Sequence, residues 1–502
     1  MKRFLLLSLV FLPLLVNAQI NAFYPENFVD SSMLGKQVKI THPMYVISYV
    51  SDAYLAEFLP RAAGESVADH DSDEYKEISD KNHDSDMRLQ VSNLPKSESS
   101  IPVGTVYPDL VLNMLDNIWN WGIYDNTYYE TPGHELVKID PTAKPEFPDA
   151  SLLICAANLQ WYMTTLGSNG ANTQEKFNLQ TTKIIKAMAE INADIYAFIE
   201  VEQNAGVLDT LANRLNAQLS SPGRWAAVER GITDVSSGYQ SCGFLYNTQT
   251  VQPVGDYDCS ISGGYKNRSP MQMFREIASG EQFLLNCLHL KAKSSYDEYE
   301  SERMSQVKTV AEKMKKFSAD PDILIVGDYN SYSAENPIVY LESQGYIEQL
   351  KRYSPDGYSY RYDYNNLAPE FGYLDHVMAS ATMSQQVVGA QAWHLNTSYK
   401  DIYYGYKKTN DDSMKRYADH DPVLIGLKLQ KLETAISSLT APHTAVTVGN
   451  NILEVQGVQQ QVSVWTISGS LVTSAASNIS ISLPQGIYLI KADNDIHKVI
   501  IQ

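Results

Sequence analysis

The chain has 502 residues, 44% of them apolar and 19% charged. That is enough to bury the cores of about three domains of ordinary size, which excludes a wholly disordered protein. Acidic residues outnumber basic ones by 58 to 39, a formal charge of −19, which excludes nucleic-acid binding driven by bulk positive charge. Any polyanion has to be met at a local site.

Residues 1–18 read as a secretory signal. Lys2 and Arg3 form a basic end, Phe4 to Val16 is apolar except for Ser8 and Pro13, and Val16-Asn17-Ala18 is a small-residue cleavage pattern before Gln19. No cysteine lies near the cleavage point, which argues against a lipid anchor. The expectation is an exported chain, secreted or held at the cell surface, with no membrane-spanning run of ~20 apolar residues.

Residues 19–148 read as short strands and loops of a β-rich domain. KQVKITHPMYVISYV alternates in the strand manner. The acidic run after it, ADHDSDEYKEISDKNHDSDM, begins like a calcium loop with Asp69, Asp71 and Asp73. Glu74 then stands where that loop needs Gly and Asp80 where it needs Glu, so the run reads as a solvated insertion.

Residues 149–430 alternate strand and helix patterns. Strands are expected over 152–156, 195–199, 283–288 and 323–326. Helical spacing appears at Phe177, Ile184, Met188 and Ile191, and again at Met304, Val307, Ala311, Met314 and Phe317. Four cysteines are too few for a disulfide scaffold. Cys242 and Cys259 flank a strand–turn–strand stretch and are candidates to pair. Cys155 and Cys287 sit in apolar runs as either buried thiols or a second bridge. Residues 431–444 are a Ser/Thr/Ala/Pro linker, and 445–502 return to short alternating strands with Gly turns, a small β-sandwich.

Polar residues gather where apolar runs end: Asn158 in CAANLQW, Glu200 in ADIYAFIEVE, His289 in NCLHLKAKS, and Asp328 with Asn330 in LIVGDYNSY. Asp375 follows in GYLDHVMAS, and Asp419 with His420 in RYADHDPVLIGL. Strand ends are where layered α/β domains collect their sites. Carboxylates are the hard ligands that Mg²⁺ takes, and Glu200 and Asp419 are candidates. A histidine oriented by a carboxylate moves protons near neutral pH, which fits His420 with Asp375. His289 is a second donor for a phosphate oxygen. Singly each is an ordinary cap, turn or core residue; together they point to phosphodiester hydrolysis.

These motifs, in this order, resemble the endonuclease/exonuclease/phosphatase superfamily of pancreatic-type deoxyribonucleases. The resemblance implies a four-layer α/β sandwich over roughly 150–430. It assigns Glu200, Asp419 and Asn158 to the metal, and His289, Asp328, Asn330, Asp375 and His420 to catalysis. Whether Asp328 or His420 takes the proton stays open. Arg268 in KNRSPMQMF matches a substrate-facing arginine, and Lys291 is a candidate for backbone phosphates, as are Lys293, Arg224, Arg230 and Lys266. Some deoxyribonucleases pair the first histidine with a Glu near the position of Ser241; no acid stands there.

The runs HLKAKS, GDYNSYSAENP, WHLNTS and ADHDPV are most similar to the large secreted bacterial nucleases, many of which carry an N-terminal OB-like domain. QGIYLIKADNDIHKVIIQ resembles the type IX secretion sorting domain, which implies that export machinery as a partner. The function implied is Mg²⁺-dependent cleavage of DNA or RNA, with Mn²⁺ or Ca²⁺ as other metals. Sphingomyelinase- or phosphatase-like substrates of the same fold are the alternative, and a catalytically dead surface binding protein is the third reading.

Overall fold

The structure, a computed structural model, describes residues 20–22, 36–40, 44–51, 55–60, 89–92, 105–108, 110–114, 127–130, 142–167, 169–232, 239–293, 299–317, 322–354, 358–362, 370–399, 404–430, 445–449, 451–458, 460–467, 469–493 and 495–501. The signal-like segment, the acidic run and the linker lie outside these. The chain divides into two compact units, Met1–Gln430 and Lys431–Gln502.

The first strands build one sheet: β1 (Ile20–Ala22), β2 (Gln37–Ile40), β3 (Met44–Ser51), β4 (Leu55–Pro60), β5 (Leu89–Ser92), β6 (Val106–Tyr107), β7 (Leu110–Met114) and β8 (Thr127–Glu130). Strands β3, β4 and β5 form a meander, β5 runs parallel to β8, and β8 and β7 are antiparallel. Strand β7 then pairs with β2, which lies just before β3 in the chain. That Greek-key course is the connectivity of an OB-type barrel. The alternation in KQVKITHPMYV turns Val38, Ile40, Met44 and Val46 inward, all buried.

The next strands form two six-stranded sheets. One runs β11 (Trp225–Ala227), β12 (Gln240–Asn247), β10 (Ile195–Glu202), β9 (Leu152–Tyr162), β22 (Val423–Leu427), β21 (Val387–Ala392). The other runs β13 (Val251–Cys259), β14 (Pro270–Glu276), β15 (Gln282–His289), β16 (Ile323–Asp328), β20 (Asp375–Ala379), β17 (Ile347–Glu348). The strands β18 (Tyr360–Tyr362) and β19 (Glu370–Gly372) form a separate hairpin. The period of two in β10 sorts its side chains: Ile195, Ala197 and Ile199 face the core between the sheets, whereas Tyr196, Phe198 and Val201 face helices.

Helices α1 (Gln174–Ile191) and α2 (Val207–Gln218) cover the first sheet through Ile184, Met188, Leu208 and Leu211. Helices α3 (Glu300–Phe317) and α4 (Asn336–Ser343) cover the second through Val307, Met314, Ile338 and Leu341. The result is a four-layer α/β/β/α sandwich. Both helices extend a few residues N-terminal to their apolar spacing; α1 is capped by Thr173, whose hydroxyl accepts from Lys176 N.

All four cysteines are free and buried, which corrects the expected Cys242–Cys259 pairing. Cys242 lies on β12 of one sheet and Cys259 on β13 of the other, and both remain thiols. Cys287 packs between the sheets, and Cys155 packs under the helices of the first.

The second unit has a three-stranded sheet (Ala445–Gly449, Ile452–Gln456, Ile479–Ser482) and a four-stranded one (Leu471–Ala475, Val462–Thr466, Gly486–Ala492, Asp495–Ile501). Leu453, Val455, Val464 and Ile490 are among the residues that fill its core.

Candidate active site

Register brings the site together. Parallel pairing of β15 and β16 sets His289 opposite Asp328, and antiparallel pairing of β16 and β20 sets Asp328 opposite Asp375. Three functional candidates therefore lie side by side on neighbouring strands. Gly327 permits this closeness: its φ is +132°, and a Cβ there would stand 2.2 Å from Leu288 O. In the other sheet, β9 and β10 set Asn158 opposite Ile199, next to Glu200.

Glu200 interrupts its strand. The ladders on both sides of β10 shift register around it, and its φ is +60°. Such a bulge re-aims a side chain that regular pleating would send elsewhere. Asn330 (φ 48°), Gln160 (φ 46°) and Trp161 (φ 54°) share this left-handed conformation, which costs non-glycine residues roughly 1 kcal/mol or more each. Local hydrogen bonds hold the strained turns. Trp161 N donates to Glu200 Oε2 (2.9 Å), Gln160 N to Asn158 Oδ1 (2.9 Å) and Asn330 N to Asp328 Oδ1 (2.8 Å).

Asp328 is the hub. Its Oδ2 accepts from Asn158 Nδ2 at 3.2 Å and lies 3.8 Å from both His289 Nε2 and His420 Nε2. His289 Nε2 is also 3.7 Å from Glu200 Oε1. His420 Nδ1 bonds Asp375 Oδ2 at 2.7 Å, and that same oxygen accepts from Ser359 Oγ at 2.7 Å. Tyr360 lays its ring 4.7 Å from that of His420.

The electrostatics divide the two histidines. Burial depresses His289 well below its usual range, and the charges of Arg268 and His420 add to this. Burial also works against charge on His420, but Asp375, Asp328 and Asp419 together outweigh it and hold its pKa well above the usual value. Burial, then repulsion by Asp419 and Asp328, pushes Glu200 up to about 7. Burial pushes Asp328 up to about 6 and raises Asp419 as well.

Buried carboxylates that repel one another fit a cation. One oxygen each from Glu200 and Asp328 and one nitrogen of His289 lie within 4.8 Å of one another. Hard oxygens suit Mg²⁺ or Ca²⁺, and an imidazole beside them suits Mn²⁺. Of the expected Glu200, Asp419 and Asn158, Glu200 belongs to this grouping, and Asp419 acts electrostatically on it. Both ends of the Asn158 amide are engaged within the protein, with its nitrogen steadying Asp328.

The basic candidates separate. Arg268 ends a 3₁₀ turn (Gly263–Arg268), and its charge acts on His289. Lys291 rests its ammonium 4.0 Å over the Tyr299 ring, Lys293 pairs with Glu335, and Arg224 stacks 4.1 Å from the Trp225 ring. Arg230 is buried and bonds Ser241 Oγ (2.7 Å), Cys242 O and Asn204 O, so it is part of the core. Ser241 is thus engaged by a structural arginine, and among the described residues His289 Nδ1 has no hydrogen-bond partner.

Sequence reasoning missed Ser359. The signal was present as the Ser of YSYRYDY, but only the fold brings it to Asp375, which lies 16 residues away.

No family model matches the sequence, and no curated protein matches it. Solved structures similar to it include an endonuclease/exonuclease/phosphatase from Bacteroides vulgatus, at 12% identity over 56% of this chain and 99% of that one, with a TM-score of 0.40. A family protein of the same description from Bacteroides thetaiotaomicron is 16% identical over 55% and 98%, TM-score 0.40. The human Nocturnin catalytic domain with bound sulfate is 15% identical over 56% and 94%, TM-score 0.37.

Proposed function

We propose that the protein is an exported, divalent-metal-dependent phosphodiesterase whose substrate is nucleic acid. The observation that carries this reading is the cluster at Asp328, where the metal-type donors Glu200, His289 and Asp328 converge and His420, held by Asp375, stands 3.8 Å from Asp328. Glu200, His289 and Asp328, with Asp419 beside them, are the residues that would hold Mg²⁺ or Mn²⁺. Bound there, the cation offsets phosphate charge and acts as a Lewis acid.

The chain's own residues do the rest. His420, charged and held at Nδ1 by Asp375, presents Nε2–H to a phosphoryl oxygen and stabilises the charge that builds there. His289 turns Nε2 toward Glu200 and Asp328 (3.7 and 3.8 Å) and would serve the cation. Asp328, oriented by Asn158 and by Asn330 N, is the carboxylate that accepts a proton from the attacking water. Arg268 contributes positive charge toward the phosphate, and Lys291, two residues after His289, holds its ammonium over Tyr299.

The test compares duplex DNA, single-stranded DNA and RNA with sphingomyelin vesicles and an inositol phosphate, all with Mg²⁺. His420→Ala is expected to lower turnover of nucleic acid on the order of 10³-fold. Hydrolysis confined to the lipid or inositol phosphate would overturn the nucleic-acid assignment. Near-normal turnover by His420→Ala would overturn the mechanism.

A further inference from the structure

His420 lies in a loop, three residues before β22, with no helix to fix it. Asp375 holds its ring, yet something must also hold its backbone. The run WHLNTS, which the mechanism above does not use, does this.

Asn396 spans the turn that carries Asp419 and His420. Its Nδ2 donates to His420 O at 2.6 Å, and its Oδ1 accepts from Tyr417 N at 3.0 Å. Asp421 grips the same loop from the other side. Its Oδ1 accepts from Asn396 N (2.8 Å) and Thr397 N (3.0 Å), and its Oδ2 from His394 Nδ1 (2.8 Å) and the Thr397 hydroxyl. The carboxylate is fully buried and meets four donors. Asp421 N donates to Ser359 O at 2.7 Å, and Ser359 Oγ returns to Asp375 Oδ2.

The bonds close a circuit from the His420 ring through Asp375, Ser359, Asp421 and Asn396 to the His420 carbonyl. His394 resembles a second catalytic histidine, since it too pairs with a carboxylate. Its ring is stacked 4.1 Å from that of Tyr358, nearly parallel at 14°, which fixes it as part of the frame.

We propose that Asp421 and Asn396 are positioning residues for His420, a clamp that fixes the imidazole's place over the phosphate. The role rests on the phosphodiesterase reading above. Removing groups that orient an active-site residue costs ~10- to 100-fold in activity, and small misplacements act on turnover more than on binding.

The experiment uses the full chain with Mg²⁺ and a nucleic-acid substrate. Asn396→Ala and Asp421→Ala are expected to lower kcat about 10- to 100-fold with KM within about threefold. Asp421→Asn keeps an oxygen for the two backbone amides and is expected to recover about tenfold of that loss. The second readout is the Nδ1–H resonance of His420 in protein labelled with ¹⁵N-histidine, assigned by its loss in His420→Ala. Both alanine variants are expected to shift or broaden it, and Asp421→Asn to keep it.

Folded alanine variants with wild-type kcat and an unmoved resonance would overturn the clamp. If an alanine variant does not fold, Asn396→Ser carries the same two readouts with the same expected direction. If the wild-type chain cleaves no phosphodiester, the functional reading fails, while the resonance still decides the clamp: its persistence in Asn396→Ala overturns it.

Discussion

Glu200 and Asp328 carry their charge where burial and like-charged neighbours oppose it. Their pKa values of about 7 and about 6 lie above ordinary carboxylate values of 4.5 and 3.8. The sign of the consequence follows. A raised carboxylate pKa means the native state binds more protons than the unfolded one, so the metal-free protein loses stability as pH rises from about 4 through about 7. A cation competes with those protons and restores the loss. Mg²⁺ or Mn²⁺ is therefore expected to raise Tm by several degrees at pH 8 and hardly at all at pH 5, with Glu200→Gln abolishing most of the difference. Thermal melts with and without metal check this; an equal shift at both pH values would contradict it. At this scale Glu200, His289, Asp328 and His420 were legible, because each borders an apolar run. The left-handed backbone at Glu200 and Asn330 was not, since both are ordinary strand-end residues by composition.

Helix α1 does more than cover a sheet. Lys176, Lys183 and Lys186 all reach the segment 409–413, which leads toward Asp419 and His420. Lys183, its side chain buried, donates to Asp411 O (2.8 Å) and Ser413 O (2.7 Å) and pairs with Asp411 Oδ2 (3.5 Å). Lys176 donates to Thr409 O (2.8 Å), and Lys186 pairs with Asp412 (2.8 Å). Burial lowers the Lys183 pKa. Asp411 feels a desolvation penalty, but hydrogen bonds from Ser413 and the charge of Lys183 outweigh it and hold the carboxyl at about 2.

A depressed carboxylate stabilises the fold above its unfolded pKa and loses that contribution as pH falls from about 4 through about 2. Asp411 is 43% exposed, so solvent screens part of it. Asp411→Asn is expected to flatten the acid limb of a Tm-against-pH curve over that window; a limb identical to wild type would contradict the tether. Lys183→Met should cost about 1–2 kcal/mol at neutral pH by leaving two carbonyls short of a donor. The helix itself was legible from its spacing of Phe177, Ile184, Met188 and Ile191. Its tether was not, because the partners lie more than 200 residues away. Residues 393–398 were visible as a motif, yet their work depends on a turn formed by 416–421.

Across the whole chain, composition foretold an α/β middle between β-rich ends, because strand and helix periods differ and the middle carries both. The N-terminal sheet follows an OB-type course that alternation alone does not specify, since alternation gives strands and not their order. The candidate disulfide is absent, and Cys242 and Cys259 stay free thiols on strands of different sheets. Net charge misleads at this scale as well. A formal charge of −19 describes the molecule, whereas the candidate site gathers Arg268 and His420, whose pKa its acidic neighbours raise, and on the proposed reading a cation. The signal-like segment 1–18, the tail 445–502 and the candidate site together make an exported enzyme the proposal to be tested.

The most direct measurement incubates the full-length chain with supercoiled plasmid and Mg²⁺ or Mn²⁺ at neutral pH, beside EDTA and Asp328→Ala controls. Nicked circles that appear before linear DNA, and are absent in both controls, are the predicted result. Cleavage that persists in Asp328→Ala or in EDTA, or a folded wild-type protein that leaves the plasmid intact, would contradict the account.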